Sequence, residues 1–522
     1  MIEKVIAWDL SEIFSGCDDP KISESMDALL KDADEIVKNY KGKINKSRFT
    51  AQNLHDLIQN YEKILAGKEE LECFCRNLFN ANTIIPENKA LINKYKNFES
   101  NVLKRLTFLE LEIGELVHNN VQLIENEILS NYKYYLEKID LKSPYKLSES
   151  EEQIILEKDE SGVIAWEQFK DSWLSSRKFE AIVEGKKKII SISEVLPLVY
   201  HPDRDTRMSV YKSVYSSLGE EEEIYSSALR YICSDWVKNV NRRHYNSPLH
   251  QSLLDNDTTQ DIIDNLLKTI EDNIEIYHRF LAIKAKLLNL PKLNGVDLLA
   301  FLPIEKKYTW EEAKDLILQV YSKFDKSFGE YVDDMFRRNH IDASAREGKT
   351  DGIYCSPWYK GKSAFIFTSY KGLISEIFFL THEIGHGIHC YLSSREQTFF
   401  NFTPGMTVAE TASKFGELLL TDHLLNTIEA KSERISLLTN QINFASFIFL
   451  HSARFRFEQN LYNAINKGEF LDGQRISQYW CSARDNVFRD SVECFDVMKW
   501  IWITTPHYFL PNFRFYNYPY AY

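Results

Sequence analysis

Three of the chain's 13 histidines fall within eight residues, in the stretch FFLTHEIGHGIHCYL at 378–392. His382 and His386 are four apart, and Glu383 directly follows the first. In a helix each residue turns about 100°, so residues four apart lie one above the other on one face. Two imidazoles placed that way can grip one zinc ion. Glu383 is near enough the same edge to take a proton from a water at that ion. The H-E-x-x-H pattern thus predicts metal-assisted hydrolysis, with two ligands and a general base. The competing reading is a core helix whose histidines bond to backbone carbonyls.

A catalytic zinc takes three protein ligands and keeps one position open. A third histidine six residues past His386 is excluded, because that position is Leu392. His389 shares a face with His382 but lies too far along the axis for one ion to take all three rings. It reads as a residue that supports the ligands or the helix. Cys390 is near that face too, but a site already holding three ligands does not need it. The other route is a carboxylate from a following helix, and Glu396, Glu410 and Glu417 are the candidates. Glu396 follows the motif closely and reads as exposed. Glu410 comes one turn into the next helix, after the break at Pro404–Gly405, with room for the chain to fold back. We take Glu410 as the third ligand and Glu417, two turns along the same stripe, as the group that steadies a ligand from behind. A purely structural zinc is disfavoured, since such sites usually have four protein ligands rich in Cys.

The elements that position these residues are mostly helical. From residue 18 to about 135, apolar residues recur three and four apart with charges between them. Segment 141–153 is polar, contains Pro144 and reads as a loop or hinge. Helical patterns return at 163–178, 201–243, 258–288 and 309–338, then at 407–425 and as one long helix over 434–466. The chain ends in an aromatic, irregular tail. One stretch differs: SAFIFTS, within 351–372, is a short apolar run with β propensity just before the motif helix. An exposed strand edge can hold an extended peptide through backbone hydrogen bonds, so Ala364, Phe365 and Ile366 are candidate substrate-binding residues. The alternative is a buried structural hairpin.

The 522 residues carry 44% hydrophobic and 27% charged side chains, the balance of a globular protein. With only 13 Pro and 19 Gly, a turn-rich all-β architecture is disfavoured. The net charge is −13. The densest basic run, EGKKKII at 184–190, reads as a solvated loop, so no nucleic-acid partner is expected. No run of 18 apolar residues exists, and no membrane partner is expected. Eight cysteines without zinc-finger or disulfide spacing fit a reducing, cytoplasmic setting, and the N-terminus lacks a signal-peptide pattern.

HEIGHGIH matches the H-E-x-G-H-x-x-H signature of the thimet oligopeptidase-like zinc metallopeptidases, and VAETAS at 408–413 resembles their downstream glutamate helix. The oligoendopeptidase F branch is the nearest in pattern. WDLSEIF, HPDRDTR, SPLHQSLLDNDT, LKTIEDNIEIYHRFLAIKAKLL and GKSAFIF are all similar to it, so the resemblance spans nearly the whole chain. It implies a mainly α, two-lobed, zincin-like fold with a deep central channel and a small β element beside the active-site helix. On this basis residues 1–190 form an N-terminal helical lobe and 191–522 the catalytic domain. The implied activity is zinc-dependent endopeptidase cleavage of short peptides, with one Zn2+ per chain on His382, His386 and Glu410 and with Glu383 as base. Pro506–His507 matches a family pair that lines the cleft. Tyr516 and Tyr518 match a following tyrosine cluster, with altered spacing. The family runs on for several tens of residues past those tyrosines, whereas this sequence stops at Tyr522. An inactive, truncated zinc- and peptide-binding homologue and a helical zinc exopeptidase are the alternative readings.

Overall fold

A computed structural model describes residues 5–44, 49–304, 306–510 and 513–522, and of Leu196 the backbone alone. Residues 1–153 with 306–424 form one compact unit, and 154–305 with 425–522 form a second.

The first unit begins with long helices α1 (Pro20–Tyr40), α2 (Ala51–Ala81) and α3 (Pro86–Asn119), then the shorter α4 (Lys133–Lys142). Their starts are written locally. The Asp19 side chain accepts from the Lys21 backbone and Pro20 occupies the first turn of α1, while Thr50 and Asn53 cap α2 reciprocally. Ile22, Met26, Leu29, Ala33 and Ile36 form the buried stripe of α1. They join a core with the inner faces of α2 and α3. The segment expected to be a loop at 141–153 is partly helical. A short 3-10 turn spans Ser143–Tyr145, and α5 (Glu149–Ser161) then begins with Glu149, Glu151 and Glu152 in its first turn. Acids there complement the helix dipole, which offsets the polar composition.

The second unit continues with α6 (Val163–Ser176) and an antiparallel hairpin, β1 (Lys178–Val183) with β2 (Lys186–Ser191). The lysine-rich run is therefore a strand rather than a loop, although Lys186, Lys187 and Lys188 are solvated as expected. Glu184 and Gly185 both take positive φ in the two-residue turn that joins the strands. Helices α7 (Ile192–Val199), α8 (Arg204–Glu220), α9 (Glu222–Arg242), α10 (His250–Asp255), α11 (Gln260–Asp272) and α12 (Ile274–Leu287) follow, then the two-residue strand β3 (Leu293–Asn294).

The chain returns to the first unit at α13 (Trp310–Phe324) and α14 (Lys326–Arg337). A three-stranded sheet comes next, from β4 (Ile341–Asp342), β5 (Tyr354–Trp358) and β6 (Ser363–Phe367), in the order β4-β6-β5. Strand β6 pairs antiparallel with β5 over its whole length and parallel with β4 at Ile366 and Phe367. Phe365 and Phe367 enter the core of the first unit. Helix α15 (Ile374–Glu396) packs on β5 and β6, and α16 (Phe399–Phe402) and α17 (Met406–Thr427) follow.

The rest belongs to the second unit. The expected single helix over 434–466 is two, α18 (Lys431–Ala445) and α19 (Phe447–Asn466), separated at Ser446. The Ser446 hydroxyl donates to the Asn443 carbonyl, the kind of side-chain competition that interrupts a helix. Helix α20 (Gly473–Phe488), strand β7 (Val492–Glu493), 3-10 turns and α21 (Asn517–Ala521) complete it, with β7 parallel to β3. Its core gathers Val214, Ile232, Phe457, Trp502 and Tyr516, among others.

Candidate metal centre

Helix α15 buries Ile377, Leu380, Ile384 and Ile388 and leaves His382, His386 and His389 half-buried on a neighbouring face. Glu376 starts the helix by accepting from the Leu373 backbone at 2.9 Å. The Tyr321 hydroxyl of α13 donates to the Thr381 carbonyl at 2.9 Å, which fixes the turn just before the first ligand.

Helix α17 crosses α15 at two glycines. A Cβ at Gly385 would meet the Ala412 carbonyl oxygen at 2.6 Å and Ser413 Cα at 2.8 Å. One at Gly416 would meet the Tyr321 hydroxyl at 2.3 Å and the Thr381 carbonyl at 2.9 Å. The backbones approach this closely only because both positions lack side chains. That approach carries Glu410 to the histidines. One donor atom each from His382, His386 and Glu410 lie within 4.8 Å of one another. The His382 and His386 rings are 5.0 Å apart by centroid, and His382 Nε2 is 3.6 Å from Glu410 Oε2.

The surroundings prepare these atoms. His382 Nδ1 donates to Glu417 Oε1 at 2.6 Å, which leaves Nε2 as the lone-pair atom on the Glu410 side. Burial pushes the Glu417 carboxyl up, but hydrogen bonds from His382 and Lys414 outweigh it and hold the group below its usual range. Burial, with the neighbouring His382 and His389 rings, pushes His386 down to about 3, so it stands as a neutral imidazole. The Ala409 backbone, close to the His386 ring, pulls its pKa upward, but not enough to offset burial. The Ser413 hydroxyl lies 2.9 Å from the Glu410 carbonyl oxygen and 3.2 Å from Glu410 Oε2, with one proton to share between them. Two imidazoles and a carboxyl group, with Glu417 behind His382, are a donor set that fits a divalent transition metal. His389 is outside this group and is pushed down by burial. Glu396 is exposed, also outside it.

Glu383 is 7% exposed. Burial, and then the nearby Glu410 and Glu417 carboxylates, push its carboxyl up to about 7 against the pull of His382, while the Cys355 backbone N–H donates to it. The cluster opens on a cavity of about 440 Å3, whose walls include His382, Glu383, His386, His389, Glu410 and, from β5, Tyr354, Cys355 and Pro357. The expected strand residues are not on it. Ala364, Phe365 and Ile366 are all 0% exposed, because β6 is the middle strand and both its faces are covered. The strand beside the site is β5, an edge among the described residues, and Pro357 fits that position, since Pro cannot donate to a ladder. The Cys355 and Cys390 thiols hydrogen-bond on the same wall, and neither joins the metal group. All eight cysteines are unbridged.

The tail residues belong to the second unit. His507 Nε2 and the Tyr518 hydroxyl are 3.0 Å apart, and burial, with Arg454 and Arg514 nearby, pushes His507 down to about 4. Tyr516 does not fit a catalytic role. It is 0% exposed, and its hydroxyl donates to the Ser252 carbonyl and accepts from Asn256 Nδ2, each at 3.0 Å. It holds the tail to α10.

The sequence reading missed Lys414, which donates to Glu417 Oε1 at 2.9 Å, and the Cys355 amide. Nothing in spacing singles out either one. Among the described residues no helix is long and apolar enough to cross a membrane.

The model for Peptidase family M3 matches residues 198–522, and the model for Oligopeptidase F matches 121–179. Oligopeptidase PepF of Bacillus subtilis is 25% identical over 98% of this chain and 76% of its own length. Group B oligopeptidase PepB of Streptococcus agalactiae is 22% identical over 100% of this chain and 86% of its own. A solved protein of Chlamydophila abortus superposes with a TM-score of 0.81 at 20% identity, covering 99% of this chain and 86% of that one. The crystal structure of oligoendopeptidase-F from Enterococcus faecium gives 0.67 at 19%, covering 98% and 86%. At these identities the structural likeness is one of fold, and that fold is the mainly helical one expected.

Proposed function

Because the chain belongs to peptidase family M3, we propose that it is a zinc-dependent endopeptidase that cuts internal bonds of short peptides. One zinc per chain sits on His382, His386 and Glu410. The observation that carries this reading is the convergence of those three side chains from α15 and α17, with Glu417 held behind His382.

Zinc bound there supplies a Lewis acid that lowers the pKa of a water and polarises a scissile carbonyl. Glu383 would take a proton from a water in the cavity as its oxygen adds to the scissile carbonyl, and would pass it to the amine as the C–N bond breaks. An extended peptide lies along the outer edge of β5 and bonds to its backbone. This replaces the role expected of Ala364, Phe365 and Ile366. His507, with Tyr518 as its hydrogen-bond partner, donates to the developing oxyanion, an assignment that rests on the resemblance of Pro506–His507 to the family pair. His389 supports the motif helix. Residues 1–190 and 191–522 are the proposed N-terminal and catalytic segments; family matches end at 179 and begin at 198, whereas the compact units pair 1–153 with 306–424 and 154–305 with 425–522. The unbridged cysteines and the acidic charge support a cytoplasmic setting.

The test is cleavage of an internally quenched peptide blocked at both ends. Cleavage stops on chelation and returns with zinc. Glu383→Gln keeps its zinc and loses about 10²–10⁴ in turnover. Cleavage only of peptides with a free end would make it an exopeptidase, and binding without cleavage an inactive homologue.

A further inference from the structure

The second unit contains a cavity of about 280 Å3, near the lower end of the roughly 300–1,000 Å3 typical of small-molecule sites. Tyr200, Phe447, Trp480 and Phe488 give it an aromatic wall, and Arg454 of α19 and Arg484 of α20 also line it. An arginine stays charged and requires acceptors. Arg484 is 7% exposed. It bonds Asp485 Oδ1 at 2.8 Å through Nε and Nη2, but its Nη1 is buried without a hydrogen-bond partner among the described residues. Arg454 is more completely unpaired. Its Nε is buried without a partner, and no carboxylate among the described residues pairs with it. Its charge is set instead against Tyr200, Tyr211, Tyr277 and the face of the Phe515 ring.

Unpartnered guanidinium donors in an aromatic cavity call for a ligand with an anionic head and an apolar body. We propose that this cavity binds a small apolar carboxylate, whose oxygens accept from Arg454 and Arg484 and whose body lies against Phe447, Trp480 and Phe488. The proposed site does not use the metal centre, but its cavity adjoins residues of the peptidase reading: Arg454 lies near His507, and His451 on the cavity wall stacks on Tyr518. A carboxylate of this kind occurs at the end of an aromatic peptide or on an aliphatic acid.

Isothermal titration calorimetry on the full chain, with metal chelated, tests it using 3-phenylpropionate, octanoate and 3-phenylpropanamide. At least one acid binds, and the amide binds roughly tenfold or more weakly, as expected for loss of charge-assisted hydrogen bonds. Stronger binding of 3-phenylpropionate assigns the aromatic source, and stronger binding of octanoate the aliphatic one. Arg454→Gln and Arg484→Gln each weaken the acid by a similar factor, with folding checked by circular dichroism. No binding by either acid, equal binding of phenylpropionate and its amide, or unchanged binding in both folded variants overturns the proposal. The acid–amide comparison needs no variant, so it decides even if the variants do not fold.

Discussion

The Nδ1 atom of His382 lies 2.6 Å from Oε1 of Glu417, while the opposite nitrogen of the same ring faces Glu410 at 3.6 Å. One imidazole is thus held from behind by a carboxylate and offers its lone pair in front. Lys414, 2.9 Å from the same oxygen, keeps that carboxylate charged. Replacing the rear carboxylate frees the ring to rotate and to take the other tautomer. Glu417→Ala is expected to weaken metal binding roughly 10–100-fold while leaving all three ligands in place. Competition with a chromogenic chelator measures this, and an unchanged affinity would show that the contact is incidental.

The crossing of α15 and α17 makes a second prediction. Gly385→Ala puts a methyl group 2.6 Å from a backbone oxygen and 2.8 Å from a Cα, and neither can move without moving the helix. Overpacking of this kind costs about 1–3 kcal/mol and displaces the segment that carries Glu410. Gly387→Ala is the comparison: its nearest contacts are Met335 Sδ and Cε, at 3.2 and 3.3 Å on a flexible side chain. Gly385→Ala is expected to lose both thermal stability and metal affinity, and Gly387→Ala much less of either. Equal effects in a melt and a metal titration would count against the crossing as the device that delivers Glu410.

Tyr516 separates a structural tyrosine from a chemical one. Its hydroxyl is enclosed by Ser252 and Asn256. Tyr516→Phe removes the hydroxyl's bonds to Ser252 and Asn256, while the Ser252 carbonyl keeps the Asn256 backbone N–H and Nδ2 as donors, so the cost is about 0.5–1.5 kcal/mol. The expected result is a lower denaturation midpoint with kcat for peptide cleavage unchanged. A normal midpoint with a collapsed kcat would return this residue to the chemistry.

Glu69 of α2 gives a pH dependence in the first unit. Burial, and then Glu70 and Glu72, push its carboxyl up to about 8, despite hydrogen bonds from the Tyr359 backbone at 3.3 and 3.4 Å. Unfolded, the group releases its proton near 4.5, so between about 4.5 and 8 the folded chain binds more protons than the unfolded one. The contribution of this group to stability is therefore fully present below that window and declines as pH rises through it, by at most about 1.4 kcal/mol per pH unit. Glu69→Gln is expected to raise the melting temperature at pH 8 and to change it little at pH 4.5. Parallel melting curves for the two proteins across that range would refute the assignment.

Much of the metal group was legible because its chemistry is local. His382, Glu383 and His386 are fixed by helical spacing, and Glu410 by the position of a helix after a Pro–Gly break. Periodicity sets the relation of His382, Glu383 and His386, while the approach of Glu410 depends on the α15–α17 crossing at Gly385 and Gly416. The strand beside the site was less legible. SAFIF is the more apolar run and its β propensity predicts a strand, yet apolar residues on both faces are the mark of a middle strand. The half-polar YCSPW is the edge. Tyr516 and Tyr518 could not be told apart by sequence, since only the packing against α10 shows which hydroxyl is enclosed. The lysine-rich hairpin was hidden because exposed strands carry charge as readily as loops do.

The most direct measurement is zinc per chain, by plasma mass spectrometry after dialysis, in the native protein and in Glu410→Ala. The account predicts close to one zinc in the native chain and loss of most of it in the variant, with the variant's helical circular dichroism intact. Full retention of zinc by a folded Glu410→Ala protein would contradict it, because the ion would then be held by something other than the carboxylate brought in by α17.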